Sequence, residues 1–159
     1  MKPILRITLA AACAALTAGP ALAAPVDAAK IIAALKAGEA QWNADSAARD
    51  PVKFASHYDD NATVMDPGSA PMHGRAAVEA SMKQTFADPN FTLSFAADNA
   101  GVSSDGTLAW TQGHCTETES NPTTHARVTN PCSYVTVYKL EADGSWKAIE
   151  DIASPSAAP

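Results

Sequence analysis

The spacing of the apolar residues changes in the middle of this chain, and that change limits the folds open to it. Before position 90, apolar residues such as Val78, Met82 and Phe86 recur at the spacing of one helix face. From Phe91 onward, apolar and polar residues alternate, which is the period of a strand with one buried face. Helices followed by consecutive strands predict a single α+β domain.

Capping residues and prolines place three helices in the first half. The first is expected from Val26 to about Ala48, with Asp27 as its N-cap. A short second helix begins at Pro51, because Asp50 is a good N-cap and proline fits the first helical position. The third is expected at Arg75–Phe86.

The strands are expected to form an antiparallel sheet. After a first strand at 62–65, they are predicted at 91–95, 108–119, 126–140 and 146–152, the last two joined by a hairpin at Asp143-Gly144. A sheet that covers three helices has to curve. We therefore expect N-terminal helices packed on a strongly curved antiparallel sheet, whose concave side encloses an apolar cavity with a few polar groups.

The first 23 residues have the pattern of a secretory signal peptide. Lys2 and Arg6 precede the short apolar run Ile7–Leu16, and Ala21-Leu22-Ala23 is a small-x-small cleavage site. The run is short for a membrane span. We predict cleavage after Ala23. A lipid anchor on Cys13 is a weaker interpretation, because the three alanines before it lack the usual leucine.

We expect the mature protein to be periplasmic or secreted, with a folded domain at 24–154 and a disordered small-residue tail at 155–159. The loss of Lys2 and Arg6 takes the formal charge from −6 to −8. Such a surface repels phosphate backbones, so nucleic acid is not an expected partner. Nothing after the signal peptide is apolar for long enough to predict a membrane span.

Cys115 and Cys132 remain after cleavage, and an even count in an exported protein indicates a disulfide. They lie almost equally far from the turn at 121–124, so two strands that fold back there would place them side by side. The alternative is a pair of unpaired buried thiols.

The strongest functional candidate is Asp66, which precedes Pro67 at the predicted end of the first strand. Proline ends the strand there, and the carboxylate is expected at the mouth of the cavity. Desolvation would raise its pKa and suit it to proton abstraction next to a carbonyl. The alternative is a turn residue whose carboxylate accepts hydrogen bonds from nearby backbone amides.

Further residues are candidates to assist Asp66 or to line the cavity. Tyr58 and Tyr134 are possible hydrogen-bond donors, and His73 is placed to orient Asp66. The apolar candidates for the ligand pocket, or alternatively for ordinary core, are Trp42, Met65, Met72, Phe86 and Trp110.

Cofactor chemistry has little support in the sequence. The four histidines, at 57, 73, 114 and 125, show no zinc-binding spacing, so no metal is expected. No serine-nucleophile motif, glycine-rich phosphate loop or dinucleotide fingerprint is present, so no cofactor is expected either.

The order of several short motifs resembles the nuclear transport factor 2-like superfamily, in its SnoaL-like and ketosteroid-isomerase-like branch. The resemblance covers about 33–154. Its marks are Trp42, Asp50, the run from Tyr58 to Ala62, Asp66-Pro67, Gly74, Tyr134–Val137 and Asp143–Lys147. It implies a cone-shaped fold that is often dimeric. It also implies that Asp66 takes the place of the isomerases' general base, while Trp42 stands at their tyrosine donor and the acidic donor falls near Tyr134 or Thr136, neither of them an acid.

Two hypotheses of different class follow. The first is an exported domain that binds a small hydrophobic or carbonyl-bearing molecule, and that transfers a proton or closes a ring with Asp66 as base. The second is a non-catalytic dimerisation or protein-binding module. A filled cavity favours the first, and a cavity packed by the protein's own aromatic side chains favours the second.

Overall fold

A computed structural model of the chain describes residues 25–157, so the predicted signal peptide lies outside the described residues. The elements, in chain order, are α1 (Ala28–Ala47), α2 (Pro51–Ala55), β1 (Tyr58–Met65), β2 (Met72–His73), α3 (Arg75–Thr85), β3 (Thr92–Val102), β4 (Leu108–Ser120), β5 (Arg127–Leu140) and β6 (Trp146–Pro155). The predicted order of helices and then strands is confirmed. β1 begins four residues earlier than expected, and β2 was not expected at all.

The helices begin where the capping residues predicted. The carboxylate of Asp27 accepts a hydrogen bond from the amide of Lys30 at 3.1 Å, and Asp50 accepts one from Lys53 at 3.0 Å. Each bond satisfies a backbone donor that the first turn of a helix leaves free. The preceding Gly74 starts α3 with φ of 85°, and a Cβ there would lie 3.0 Å from the carbonyl oxygen of Asp60. Glycine is therefore required at this turn.

The six strands form one sheet in the order β2-β1-β6-β5-β4-β3. All neighbours are antiparallel except β1 and β6, which run parallel. The expectation of an antiparallel sheet is therefore corrected at this one pair. β1 and β6 are the first and last long strands, and no hairpin joins them, so their relative direction depends on the whole path of the chain between them.

Two polar side chains attach the helices to the sheet. Asn43 of α1 exchanges two hydrogen bonds with the backbone of Phe95 on β3, at 2.9 and 3.0 Å. Arg49, in the turn after α1, donates to the carbonyl oxygens of Phe86 at the end of α3 and of Phe91 just before β3, at 2.7 and 2.9 Å. The helices are thereby held over one face of the sheet, and the buried core lies between them.

The C-terminal strand extends beyond the predicted end of the domain. Pro155 pairs with Cys132 of β5, and the amide of Ser156 donates to the carbonyl of Pro131 at 3.1 Å. Pro155 and Ser156, which were expected to belong to a disordered tail, are therefore hydrogen-bonded to β5. Positions 158 and 159 lie outside the described residues.

Candidate functional site

A cavity of about 620 Å³ opens between the helices and the concave face of the sheet. This volume is in the range of pockets for small organic molecules. Six aromatic residues and four carboxyl groups contribute to its lining. The aromatic residues are Trp42, Phe54, Tyr58, Phe91, Phe95 and Tyr134, and the carboxyl groups are those of Asp66, Glu117, Glu119 and Asp151.

Asp66 follows the last residue of β1 and lines the cavity, as the Asp-Pro step predicted. The turn after it is closed by the amide of Ser69, which donates to the backbone carbonyl of Asp66 at 3.2 Å. Within residues 25–157, no hydrogen bond reaches its carboxylate, in contrast to the alternative of a turn-capping aspartate. Partial desolvation raises the pKa of Asp66. It is therefore an uncommitted carboxyl group at the cavity mouth.

Asp151 of β6 is a second carboxyl group in the same cavity, and it was missed in the sequence. Its Oδ2 accepts a hydrogen bond from the hydroxyl of Tyr58 at 2.7 Å, and its Oδ1 accepts one from Thr136 at 2.8 Å. Burial raises the pKa of Asp151, against the two hydrogen bonds that lower it. The negative charges of Asp66 and Glu39 raise it further.

A β-bulge turns Asp151 into the cavity. Tyr138 of β5 pairs with Ala148, but the next residue back, Val137, pairs with Glu150, so Ile149 is an extra residue in β6. Strict alternation from the buried Ala148 would put Asp151 on the outer face. The bulge reverses the parity and points Asp151 inward.

A buried carboxylate on α1 lies under the cavity. Glu39 is 4 % exposed, and its Oε1 accepts hydrogen bonds from the hydroxyls of Thr111 at 2.6 Å and of Tyr134 and Tyr138 at 3.1 Å each. Burial, with the charge of Glu39, raises the pKa of both tyrosines above their ordinary range. The hydroxyl of Tyr134, expected to serve a ligand, is thus bonded to Glu39.

The cavity wall on the α1 side is an aromatic cluster centred on Trp42. Its indole stacks on the ring of His57 at 5.1 Å and meets Tyr58 edge-on at 4.8 Å. His57 Nε2 lies 2.8 Å from a carboxylate oxygen of Asp45, which fixes the imidazole. The indole Nε1 of Trp42 is buried and has no hydrogen-bond partner within residues 25–157.

The structure brings five of the predicted site residues to one cavity and separates four from it. Asp66, Tyr58, Trp42, Met72 and Tyr134 line the cavity. The other four, His73, Met65, Phe86 and Trp110, are absent from its lining.

Strand parity and core packing explain the four exceptions. Met65 pairs with the exposed Ile152 on the outer face, and Trp110 lies there too, 40 % exposed. His73 is exposed and lies 3.4 Å from the hydroxyl of Thr63 rather than against Asp66. Phe86 packs against two other phenylalanines in the core below the cavity.

The predicted disulfide joins Cys115 and Cys132. The two residues are direct partners across β4 and β5, with Cα atoms 4.8 Å apart. This separation is typical of bridged cross-strand pairs. Both cysteines line the cavity, so the bridge holds together the two strands that form its floor.

The histidines do not converge. His57 contacts Asp45, His114 contacts Asp98, and His125 adopts a left-handed backbone in the β4–β5 turn. Within residues 25–157, no three histidine, cysteine or acidic side chains are grouped so that they could hold a metal ion. None of the helices described is both long and apolar enough to cross a bilayer.

Known structures share this architecture. A ketosteroid isomerase-like protein from Erwinia carotovora superposes with a TM-score of 0.68 at 17% identity, over 79% of this chain and 96% of that chain. ActVI-ORFA from Streptomyces coelicolor gives 0.64 at 16% identity, over 80% and 98%. An NTF2-like protein with a cystatin-like fold from Novosphingobium aromaticivorans gives 0.62 at 14% identity, over 82% and 85%. At these identities the likeness concerns the fold alone.

Sequence comparison supplies the family. No protein of curated function matches the chain in sequence. The model of the SnoaL-like domain matches residues 40–149, which is more than half of the chain; the match includes β1 and the first four residues of β6 and ends before Asp151. The chain therefore belongs to the SnoaL-like family, and it shares its fold with NTF2-like proteins.

Proposed function

We propose that this domain binds a small, largely apolar, carbonyl-bearing molecule in the cavity and transfers a proton with Asp66 as the base. The observation that carries the proposal is the pairing of two carboxyl groups in one cavity with different surroundings. Asp66 is at the mouth without a hydrogen-bond partner in the described part of the chain, and Asp151 is held by Tyr58 and Thr136. Two carboxyl groups with such different surroundings can take different roles, Asp66 as the base and Asp151 as the hydrogen-bond donor.

The chemistry follows from these surroundings. An unbonded carboxylate with a raised pKa is a competent base for a proton next to a carbonyl. Asp151, whose pKa burial also raises, is suited to carry a proton and donate a hydrogen bond to the substrate oxygen as negative charge develops there. Tyr58 and Thr136 fix the orientation of Asp151 for that role. A proton shift or a ring closure would use the same arrangement.

The test is a proton exchange reaction. The apolar ketone 2-tetralone in D₂O should lose its α-protons faster with the protein than without it, followed by proton NMR. Asp66→Asn should lower the protein-dependent rate by about 100-fold or more, the usual scale of general base catalysis. Asp98→Asn, which alters an exposed carboxylate paired with His114, is the matched control. An unchanged rate in Asp66→Asn would contradict the assignment.

The non-catalytic alternative is favoured by one separate feature, the outer face of the sheet. Exposed apolar side chains gather there: Leu108, Trp110, Val135 and Ile152. We propose that this face joins two copies of the domain, since a contiguous apolar patch marks an interaction surface. Self-association leaves the inner cavity free, so the two proposals are compatible.

The cavity is open rather than packed by the protein's own aromatic side chains, and this supports ligand binding.

Sedimentation of the mature protein tests the proposed dimer. The wild type should sediment as a dimer, and Val135→Lys as a monomer, because the substitution places a charge in the apolar face. Val52→Lys is the control, since Val52 is exposed on α2 rather than on the sheet. Equal dimer populations in the wild type and Val135→Lys would contradict this interface.

We further propose that the protein is exported and cleaved after Ala23. The Cys115–Cys132 disulfide supports this, because such bonds persist in oxidising compartments. The protein recovered from the periplasm should begin at Ala24. Its mass should be two hydrogens lower than that of the reduced chain 24–159. Recovery of uncleaved protein from the cytoplasm would contradict export.

A further inference from the structure

The charges that line the cavity have one sign. Four carboxyl groups contribute to it: Asp66, Glu117, Glu119 and Asp151. No lysine, arginine or histidine is part of the lining among residues 25–157. A pocket that bound an acid would be expected to contain a cation for it. The lining of this pocket therefore does not favour a negatively charged ligand.

Three basic residues on or beside the elements that form the cavity are paired with other groups. Lys139 lies 2.8 Å from Asp59 and 3.0 Å from Glu141. Arg75 is paired with Asp60 at 2.7 Å, and the Arg49 guanidinium is bonded to four backbone carbonyl oxygens. None of these cations is therefore placed to neutralise the cavity.

Burial also affects two of the cavity carboxyl groups, Glu117 and Asp151. Burial raises the pKa of Glu117, and the charges of Glu119 and Asp66 add to that effect. Asp151 is subject to the same two influences, burial and the charge of Asp66, and in addition to the charge of Glu39. A cation brought into the cavity would relieve the repulsion among these groups, whereas an anion would increase it.

The aromatic lining also favours a positively charged ligand. The faces of aromatic rings carry partial negative charge and attract ammonium groups, most strongly once water is excluded. Six aromatic residues line the cavity and provide apolar contact for the rest of such a molecule. The acidic rim and the aromatic interior thus suit two parts of one ligand.

We propose that the cavity selects molecules in which an apolar ring system carries a protonated nitrogen, and that it rejects the corresponding carboxylates. The inference rests on the proposed function, because it names the charge of the molecule that the cavity takes. The ammonium group lies beside Glu117 and Glu119 at the mouth, which leaves Asp66 free to act as the base, and the ring system lies against the aromatic residues inside.

Three probes with one ring system separate charge from shape. They are 2-naphthylmethylamine, 2-naphthylmethanol and 2-naphthoate, titrated into the mature protein at pH 7 by calorimetry. The amine should bind about tenfold more tightly than the alcohol, because the attraction between an ammonium group and a carboxylate is large enough, even when partly screened, to change the affinity by about this factor. The carboxylate should bind more weakly than the alcohol.

Variants at the mouth locate the effect. Glu117→Gln combined with Glu119→Gln should reduce the affinity for the amine about tenfold and leave the affinity for the alcohol unchanged. The control is Glu79→Gln combined with Glu150→Gln, which removes the same net charge on α3 and on β6, outside the cavity lining. That control should leave the amine affinity close to the wild-type value.

The possible outcomes separate this inference from the proposed function. Equal affinities for amine and alcohol, or tightest binding of the carboxylate, would overturn the charge selection and leave cavity binding intact. Equal losses of amine affinity in the two double variants would also overturn it, since overall charge would then explain the preference. Binding of none of the three probes would overturn the cavity function itself, and the charge selection with it.

Discussion

At the scale of single residues, the carboxyl groups of this domain divide according to their surroundings. A hydrogen bond from Lys139 lowers the pKa of Asp59 to about 2, and bonds from Ser120 lower that of Asp88. Burial raises the pKa of Asp66 and Asp151 in the cavity. The acids that support the fold are therefore stabilised as carboxylates, and those in the cavity are not.

The pH dependence of stability should reveal this division. Because the native pKa of Asp151 is raised, the native state holds a proton there that the unfolded state has already released. Its destabilising contribution grows as the pH rises from the ordinary aspartate range through the native pKa. Asp151→Asn should therefore gain stability relative to the wild type over that interval, measured by urea unfolding.

Asp59→Asn is the contrasting variant, since its pKa is lowered instead. The stability contributed by Asp59 is present above the ordinary aspartate pKa and is lost as the pH falls through the native value of about 2. The deficit of Asp59→Asn should therefore shrink toward acid pH. Identical pH profiles for the two variants would contradict the opposite shifts.

At the scale of elements, two bulges shape the inner face of the sheet. Ile149 is the extra residue in β6, and Asp98 is the extra residue in β3. Gly113 of β4 lies opposite the second bulge, where a Cβ would overlap the carbonyl oxygen of Ala96. The bulged strand approaches β4 so closely there that a side chain does not fit.

Alanine at this position should therefore be costly. Gly113→Ala should lower the free energy of unfolding by about 1–3 kcal/mol, the range of an overpacked interior, because a β4 or β3 backbone segment has to move. Gly38→Ala in α1 is the matched control. Outside the adjoining backbone of α1, no atom lies within 4 Å of its added methyl, so it should raise stability by about 0.5–1 kcal/mol. Thermal unfolding of both variants gives the comparison, and destabilisation of similar size in both would contradict it.

The disulfide also acts at the scale of elements, since it fastens β4 to β5. Its cysteines are 17 positions apart, and closure of a loop of this length stabilises a protein by about 3 kcal/mol, chiefly through the unfolded state. Addition of a reductant should lower the free energy of unfolding by about that amount. A variant with serine at both positions should match the reduced protein and show no response to the reductant.

At the scale of the whole molecule, the sheet has two different faces. The inner face carries the cavity and its carboxyl groups, and the outer face exposes the apolar side chains of Trp110, Val135 and Ile152. The net charge of −6 opposes non-specific association. The proposed dimer would therefore depend on apolar contact at that patch rather than on non-specific aggregation.

A dimer that unfolds to monomers becomes more stable as its concentration rises. The unfolding temperature of the wild type should therefore increase with protein concentration. That of Val135→Lys should stay constant over the same range, as measured by scanning calorimetry. A wild-type unfolding temperature independent of concentration would contradict self-association through this face.

Local chemistry alone determined much of this protein. Asp27, Asp50 and Pro51 specify helix starts through bonds to residues three positions away, and alternation along β5 identifies its buried face without knowledge of its neighbours. The almost equal distances of Cys115 and Cys132 from one turn indicated their pairing, and Pro67 indicated that the first strand ends at Asp66. Each of these features depends on short-range geometry.

Only the tertiary structure decided the rest of the candidate site. Asp151 faces the cavity because one extra residue in β6 reverses its parity, and no local pattern marks that residue. Trp110 lies outside because its face depends on which side of β4 the helices cover. The parallel pairing of β1 with β6 likewise depends on the path of the whole chain between them. Features that depend on contacts between distant segments are set by the packing of the complete chain, whereas those that depend on neighbouring residues are readable in the sequence.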